Sequence, residues 1–140
     1  MILMDAGYIV ALLDIKDADH QRARQLLHTK QEGWMTTWPV ISEAVYMLAS
    51  HVHMACALTV LTAVEEGDIL IWDIPQTLIP RMQTMMKKYS GLPMDLADAS
   101  MVLLAEHLVH GRILTTDQRD FGAYRWKSQK PFVDLMAEVK

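Results

Sequence analysis

The stretch RILTTDQRDF, residues 112–121, ends an apolar run directly on a carboxylate. Its apolar and β-branched residues 113–116 predict the end of a buried strand. Asp117 follows at once and Asp120 comes three residues later, where a turn-forming Gly or Asn would be more usual. The amino terminus repeats the pattern, because MILMD places Asp5 after another short apolar run. Two strands that both end on an acid suggest one shared site at one edge of a sheet.

Strand-like and helix-like segments alternate along the whole chain. Strands are predicted at residues 1–4, 34–37, 68–72 and 112–116, the third apolar on both faces, with a short fifth in KPFVDL at 130–135. Helices are predicted around 9–13, over 20–30, 39–50, 54–66, 75–89 and 94–110, with Gly33, Gly67 and Gly111 closing the second, fourth and sixth. The alternation implies an α/β sandwich around a mostly parallel sheet of four to five strands. In such folds, ligands bind at the carboxyl ends of the strands.

Composition excludes several broad classes of protein. The chain of 140 residues has the size of one domain, and we expect residues 1–140 to form a single one. A hydrophobic content of 51% argues against disorder. The charge-free runs are too short to span a bilayer, so we expect no membrane association. The single cysteine, Cys56, excludes an internal disulfide and fits a reducing compartment such as the cytoplasm.

The charge distribution is uneven. The net charge of −4 argues against a non-specific nucleic-acid coat protein. The segment 112–130 nevertheless carries five bases against two acids, the bases being Arg112, Arg119, Arg125, Lys127 and Lys130. A basic rim beside carboxylates could hold a polyanion, and Trp126 within it could stack on a base. An ordinary solvated loop is the alternative explanation.

Two further segments place acids in apolar surroundings. PMDLADASMVLLAEHL, residues 93–108, has the pattern of a core helix and carries Asp95 and Asp98 on roughly one face. The helix dipole explains an acid at Asp95 well, but it explains Asp98 less well because Asp98 lies deeper in the helix. Glu43 lies in WPVISEAVYML, another helix with an apolar surround. A buried carboxylate is costly unless it is paired or bound to a cation.

Four acids from four separate segments, Asp5, Glu43, Asp98 and Asp117, therefore form one candidate site. Hard oxygen ligands of this kind suit Mg²⁺ or Mn²⁺, which often bridge to a substrate phosphate. Such ions polarise a phosphodiester and lower the pKa of a bound water. The sequence predicts a metal site at the sheet edge.

The same four segments resemble the acidic motifs of the PIN domain family. MILMDAGYIVALLD, TTWPVISEAVYML, LADASMVLLAEH and ILTTDQRDF are similar to its four motifs, in order and at the usual spacing. The resemblance covers essentially the whole chain, and the VapC-like toxins are the relatives of this size. It implies a PIN-like three-layer α/β/α fold and a Mg²⁺- or Mn²⁺-dependent ribonuclease.

The resemblance also implies roles for individual residues. Asp5 and Asp98 would be the firmest metal ligands, Asp117 a further or water-mediated ligand, and Glu43 would orient or deprotonate the attacking water. Thr116 matches a hydroxyl position often seen in these sites, and His20 a position often filled by histidine, for which we expect a structural hydrogen bond. Asp95 could replace Asp98, and Asp120 could replace Asp117.

The partners implied by the family are an RNA substrate, a small antitoxin protein and a second copy of the chain. The leading hypothesis is a metal-dependent endoribonuclease, the toxin of a toxin–antitoxin pair. The main alternative is a non-enzymatic PIN-like module that binds RNA or protein. A degenerate module would normally have lost one or more acids, so the retention of all four favours the enzyme. A phosphatase-like enzyme is weaker still, because the chain lacks a glycine-rich phosphate loop.

Overall fold

A computed structural model describes residues 1–139, and its elements follow the expected alternation of strands and helices. The strands are β1 (Ile2–Met4), β2 (Trp34–Thr36), β3 (Ile69–Ile71), β4 (Arg112–Leu114), β5 (Arg125–Trp126), β6 (Lys130–Pro131) and β7 (Val133–Asp134). The helices are α1 (Ala6–Leu13), α2 (His20–Thr29), α3 (Trp38–His51), α4 (Met54–Glu65), α5 (Ile79–Lys88), α6 (Leu96–Leu108) and α7 (Gln118–Ala123). Short 3₁₀ turns occupy Gln76–Leu78 and Leu135–Glu138.

A parallel sheet forms the centre of the fold. Within residues 1–139 it has five strands in the order β3-β2-β1-β4-β7, and every neighbouring pair is parallel. The short β5 and β6 form a separate antiparallel pair. The α/β class and the parallel sheet predicted from the sequence are confirmed, with the short fifth strand present as β7.

The strand order brings two of the predicted acids together. The chain runs from β1 outward through β2 to β3, and then returns to the opposite side of β1 to form β4. Such a reversal opens a crevice at the carboxyl ends of the two central strands. The pairing of β1 with β4 continues beyond the strands, since the Asp5 backbone N–H donates to Leu114 O at 3.0 Å. Asp5 and Asp117 therefore both lie at this edge.

The core is built on β1 and α6. All three residues of β1 are buried, and so is every residue of α6 from Ala99 to Ala105. A helix that is apolar on nearly all sides belongs in the interior of a domain. Burial of α6 fixes its first turn, and with it Asp98, against the carboxyl edge of the sheet.

Some details of the predicted helices and strands differ in the structure. β3 is apolar on both faces, as predicted, but it is an edge strand and Leu70 is 39% exposed. α6 begins at Leu96 after the cap residue Asp95 and ends before Val109, which takes the left-handed conformation that the sequence suggested for glycine. Gly111 instead allows close packing, because a Cβ there would lie 2.6 Å from Trp126 Nε1.

Other turn signals give mixed results. Gly67 follows α4 with a φ of +83°, as expected for a glycine that ends a helix. α2 ends at Thr29, several residues before Gly33. α7 and the β5–β6 pair were not predicted. No helix of the described residues is long and apolar enough to cross a membrane.

Candidate active site

One cavity of about 280 Å³ collects the predicted acids. It opens beyond the carboxyl ends of β1 and β4. Its lining comprises Asp5, Gly7, Glu43, Met47, Pro93, Asp95, Asp98, Thr116, Asp117 and Asp120. The structure thus brings together the four predicted site residues and also the two alternatives, Asp95 and Asp120.

Asp5 is the most buried of the four predicted acids. It follows β1, occupies the N-cap position of α1 and is only 7% exposed. The Thr115 hydroxyl donates to Asp5 Oδ2 at 2.9 Å and accepts from the Asp117 backbone N–H at 3.0 Å. Burial raises the pKa of Asp5 to about 6, and the charges of Glu43 and Asp117 act in the same direction.

Asp98 lies in the first turn of α6. Its backbone N–H donates to Asp95 Oδ1 at 2.8 Å, and the Asp95 backbone N–H donates to Asp98 Oδ2 at 3.3 Å. This reciprocal pair is a capping box, which starts the helix. The Tyr124 hydroxyl lies 3.2 Å from Asp98 Oδ2. Burial, followed by the negative charge of Asp95, raises the pKa of Asp98 to about 8.

Asp117 caps α7 in a similar way. Its Oδ1 accepts from the Asp120 backbone N–H at 3.0 Å. Desolvation raises the pKa of Asp117. Asp120 is 8% exposed, and its Oδ1 lies 3.2 Å from Arg119 Nε, so an arginine partly balances its charge. Asp117 has no such ion pair within the described chain, which leaves it the better candidate for a cation.

Glu43 and Thr116 complete the polar wall. Glu43 projects from α3 at the exposed rim, and partial desolvation together with the charge of Asp95 raises its pKa. Thr116 packs so closely on the first turn of α1 that a Cβ at Gly7 would lie 2.2 Å from Thr116 Oγ1. Glycine at position 7 therefore lets the two sides of the cavity approach each other.

The donor set fits a hard divalent cation in its chemistry. The polar lining consists of carboxylates and a hydroxyl, the ligands that Mg²⁺ and Mn²⁺ prefer. Burial raises the pKa of Asp5, Asp98 and Asp117 because it disfavours their charged forms, and a bound cation would offset that cost. Among residues 1–139, no three His, Cys, Asp or Glu side chains are arranged closely enough to hold a metal as they stand. Hydrogen bonds to Thr115, Tyr124 and backbone N–H groups hold the acids in place instead.

The basic segment does not form the single rim that its charge suggested. Arg112 begins β4 and donates to Glu32 Oε1 at 2.7 Å, at the end of the strand away from the cavity. Trp126 is 6% exposed and donates its ring N–H to Pro131 O at 3.0 Å, so it cannot stack on a base. Its burial against Gly111 explains the difference.

Sequence reasoning missed two residues that contact the acids, Thr115 and Tyr124. Thr115 was seen only as a strand residue, and no local signal points from Tyr124 to an acid 26 positions earlier. The spacing of Asp117 and Asp120 did carry a usable signal, because an acid at the cap and another three residues on mark a helix start. The expected role of His20 is seen, since its Nδ1 lies 2.8 Å from Ala11 O.

Comparisons with known proteins agree with this picture. No protein-family model matches the sequence. The sequence is 25% identical over 124 residues to Ribonuclease VapC26 of Mycobacterium tuberculosis, covering 89% of this chain and 92% of that protein. The fold matches the crystal structure of Mycobacterium tuberculosis VapC20, a sarcin-ricin loop cleaving toxin, with a TM-score of 0.79 and 16% identity, over 86% of this chain and 92% of that one. The chain is therefore similar in sequence to a VapC ribonuclease and shares the fold of a VapC toxin.

Proposed function

We propose that the protein is a Mg²⁺- or Mn²⁺-dependent endoribonuclease, the toxin of a toxin–antitoxin pair. The observation that carries the proposal is the meeting of Asp5, Glu43, Asp98 and Asp117 in one cavity, each from a different segment. The chain's sequence similarity to a VapC ribonuclease, and the fold that it shares with a sarcin-ricin loop cleaving toxin, support the same activity.

The residues divide the work as follows. Asp5, Asp98 and Asp117 would hold the metal, with Asp5 and Asp98 fixed by the buried strand and helix that carry them. When bound, the ion would polarise the phosphodiester, lower the pKa of a water and stabilise the leaving oxygen. Glu43, exposed at the rim and with a raised pKa, would orient that water and accept its proton. In-line attack would leave a 5′-phosphate and a 3′-hydroxyl.

An adjoining groove offers a path for the RNA. This groove, of about 460 Å³, shares Glu43 and Asp95 with the acidic cavity and is also lined by Tyr46. The Tyr46 side chain is 68% exposed, so its ring is available for stacking with a base, unlike Trp126. A nucleotide stacked there would lie next to the carboxylates.

The proposal also covers the protein's binding partners and its cellular compartment. An antitoxin would block the acidic cavity with a basic side chain, and the chain would form a homodimer in the cytoplasm. The alternative of a PIN-like binding module without activity is disfavoured because all four acids face one cavity.

The test is cleavage of a mixed pool of structured RNAs by the purified chain. We expect cutting with Mn²⁺ or Mg²⁺, no cutting with a chelator, and loss of cutting in Asp98→Asn. Asp68→Asn is the matched control, because Asp68 is exposed and precedes β3, at the opposite end of the sheet. This control should cut like the wild type.

Each other result has a definite meaning. Equal cutting by the wild type and Asp98→Asn would indicate a contaminating nuclease or a metal held by Asp95, which Asp95→Asn would decide. RNA binding without cutting under any metal condition would support the binding module instead.

A further inference from the structure

Tyr124 is fully buried and contacts Asp98, one of the acids that line the cavity. It is the residue directly after α7, and its side chain is 0% exposed. Its ring packs edge-on against Tyr89 and Phe121, with centroids 5.0 and 5.3 Å away. Aromatic packing on two sides fixes the ring and therefore the position of its hydroxyl.

The hydroxyl has two acceptors and one hydrogen. It lies 3.2 Å from Asp98 Oδ2 and 3.3 Å from Pro93 O. An ionised carboxylate is a stronger acceptor than a neutral carbonyl, so the hydrogen goes to Asp98 when that acid is charged. A phenol is protonated at neutral pH, so the hydroxyl has a hydrogen to donate.

The hydrogen bonds at Asp98 are distributed unequally. Oδ2 accepts from the Asp95 backbone N–H and from Tyr124. Within residues 1–139, no donor contacts the other oxygen, Oδ1. The carboxylate is thus held through Oδ2, while Oδ1 makes no hydrogen bond within the described residues although Asp98 lines the cavity.

We propose that Tyr124 is a positioning residue that fixes the Asp98 carboxylate so that one oxygen is presented to the cavity. The inference rests on the proposed function, because it takes Asp98 to be a metal ligand. It assigns two tasks to α7, which carries Asp117 at its first cap and Tyr124 at its last. The same six-residue helix would place one acid and orient another.

Tyr124→Phe tests the inference, with Tyr89→Phe as a matched control. Tyr89 packs against the same ring, but its hydroxyl accepts from the Arg125 backbone N–H at 3.2 Å and makes no contact with Asp98. Removing a residue that is hydrogen-bonded to a metal ligand typically lowers metal affinity by about 10–100-fold. We expect Tyr124→Phe to weaken Mn²⁺ binding by at least about tenfold, measured by calorimetric titration of the RNA-free protein. Tyr89→Phe should keep the wild-type affinity.

Two further readouts separate positioning from packing. Cleavage by Tyr124→Phe should recover most of its kcat at high Mn²⁺, whereas cleavage by Asp98→Asn should not. A 4-aminophenylalanine placed at position 124 restores an N–H donor and should restore Mn²⁺ affinity. If Tyr124→Phe does not fold, 4-fluorophenylalanine at position 124 fills the volume of the hydroxyl without a hydrogen to donate.

The outcomes also distinguish this inference from the proposed function. Wild-type Mn²⁺ affinity in Tyr124→Phe, while the wild type binds Mn²⁺ and cuts RNA, would overturn the role of Tyr124 alone. Equal losses in Tyr124→Phe and Tyr89→Phe would overturn it too, since they would show an effect of packing. A wild type that neither binds Mn²⁺ nor cuts RNA would overturn the proposed function and this inference with it.

Discussion

The Thr115 hydroxyl connects the two acids that end the central strands. It donates to Asp5 Oδ2 and accepts from the Asp117 backbone N–H, and Thr115 is fully buried. A buried hydroxyl that both donates and accepts satisfies two groups that would otherwise lack partners. Thr115 therefore fixes the distance between β1 and the start of α7 at the cavity.

We predict that Thr115→Val destabilises the protein by about 1–3 kcal/mol, the usual cost of leaving buried polar groups without partners. Valine has nearly the same shape, so the loss would be that of hydrogen bonds and not of packing. Thr62→Val is the control and should stay within about 0.5 kcal/mol, since Thr62 is exposed on α4. Urea denaturation of both variants measures the difference. Similar stabilities for the two would show that the Thr115 bonds contribute little.

Two elements, α6 and α7, begin at the cavity with an acid at the cap and an acid three residues later. In α6 the matched motif residue is the inner acid, Asp98, whereas in α7 it is the cap residue, Asp117. The sequence presents each pair only as competing candidates. Backbone N–H groups occupy Asp95 Oδ1 and Asp117 Oδ1, so capping accounts for one oxygen of each cap residue.

Patterns among neighbouring residues were enough to predict the strands, the helices and the placement of the acids. The apolar runs before Asp5 and Asp117 predicted two strands with acids at one edge, and the core-like surround of Asp98 predicted a carboxylate near the interior. The Tyr124–Asp98 contact joins residues far apart in sequence, and the edge position of β3 depends on strand order. Neither feature produces a pattern among neighbouring residues in the sequence, so both become visible only in the folded structure.

The backbone at the end of α6 is strained at Val109. Val109 has a φ of 60° and is 59% exposed. A β-branched residue is disfavoured in this left-handed region, where glycine is at ease. We predict that Val109→Gly stabilises the protein by about 0.5–1 kcal/mol, because relief of strain outweighs the entropy of glycine. Thermal unfolding would measure the shift.

Val133→Gly is the control for Val109→Gly. Val133 is 51% exposed but lies in β7, an extended strand. Glycine there should destabilise the protein by about 0.5–1 kcal/mol, because it adds freedom to the unfolded chain and relieves no strain. A loss of stability in both variants would contradict the strain at Val109.

At the scale of the whole molecule, the fold concentrates like charges at one edge of its sheet. Asp5 follows a fully buried strand and Asp98 lies on a helix whose central residues are all buried, so neither can move away from the other acids without disturbing the core. Their raised pKa values express this cost. Proteins commonly keep such unfavourable groups where function needs them. The metal-free protein should therefore show the cost as a dependence of stability on pH.

The sign of that dependence follows from the two pKa values. The pKa of Asp98 rises from 3.8 to about 8 and that of Asp5 to about 6 on folding. Between the unfolded pKa and the folded pKa of each acid, the folded protein keeps a proton that the unfolded chain has released. The free energy of unfolding therefore falls as pH rises through that range. The contribution is fully present below the unfolded value and is lost once pH passes about 8.

Asp98→Asn isolates this effect from the titration of histidines and other acids. Asparagine has the shape of the protonated acid and cannot ionise, so the metal-free variant should lose less stability than the wild type between pH 5 and pH 8.5. At pH 8.5 it should be the more stable of the two in urea denaturation with chelator present. Mn²⁺ should reverse that order at the same pH, because only the wild type gains stability by binding the ion through Asp98. Parallel pH curves for the two proteins would show that Asp98 carries no such cost.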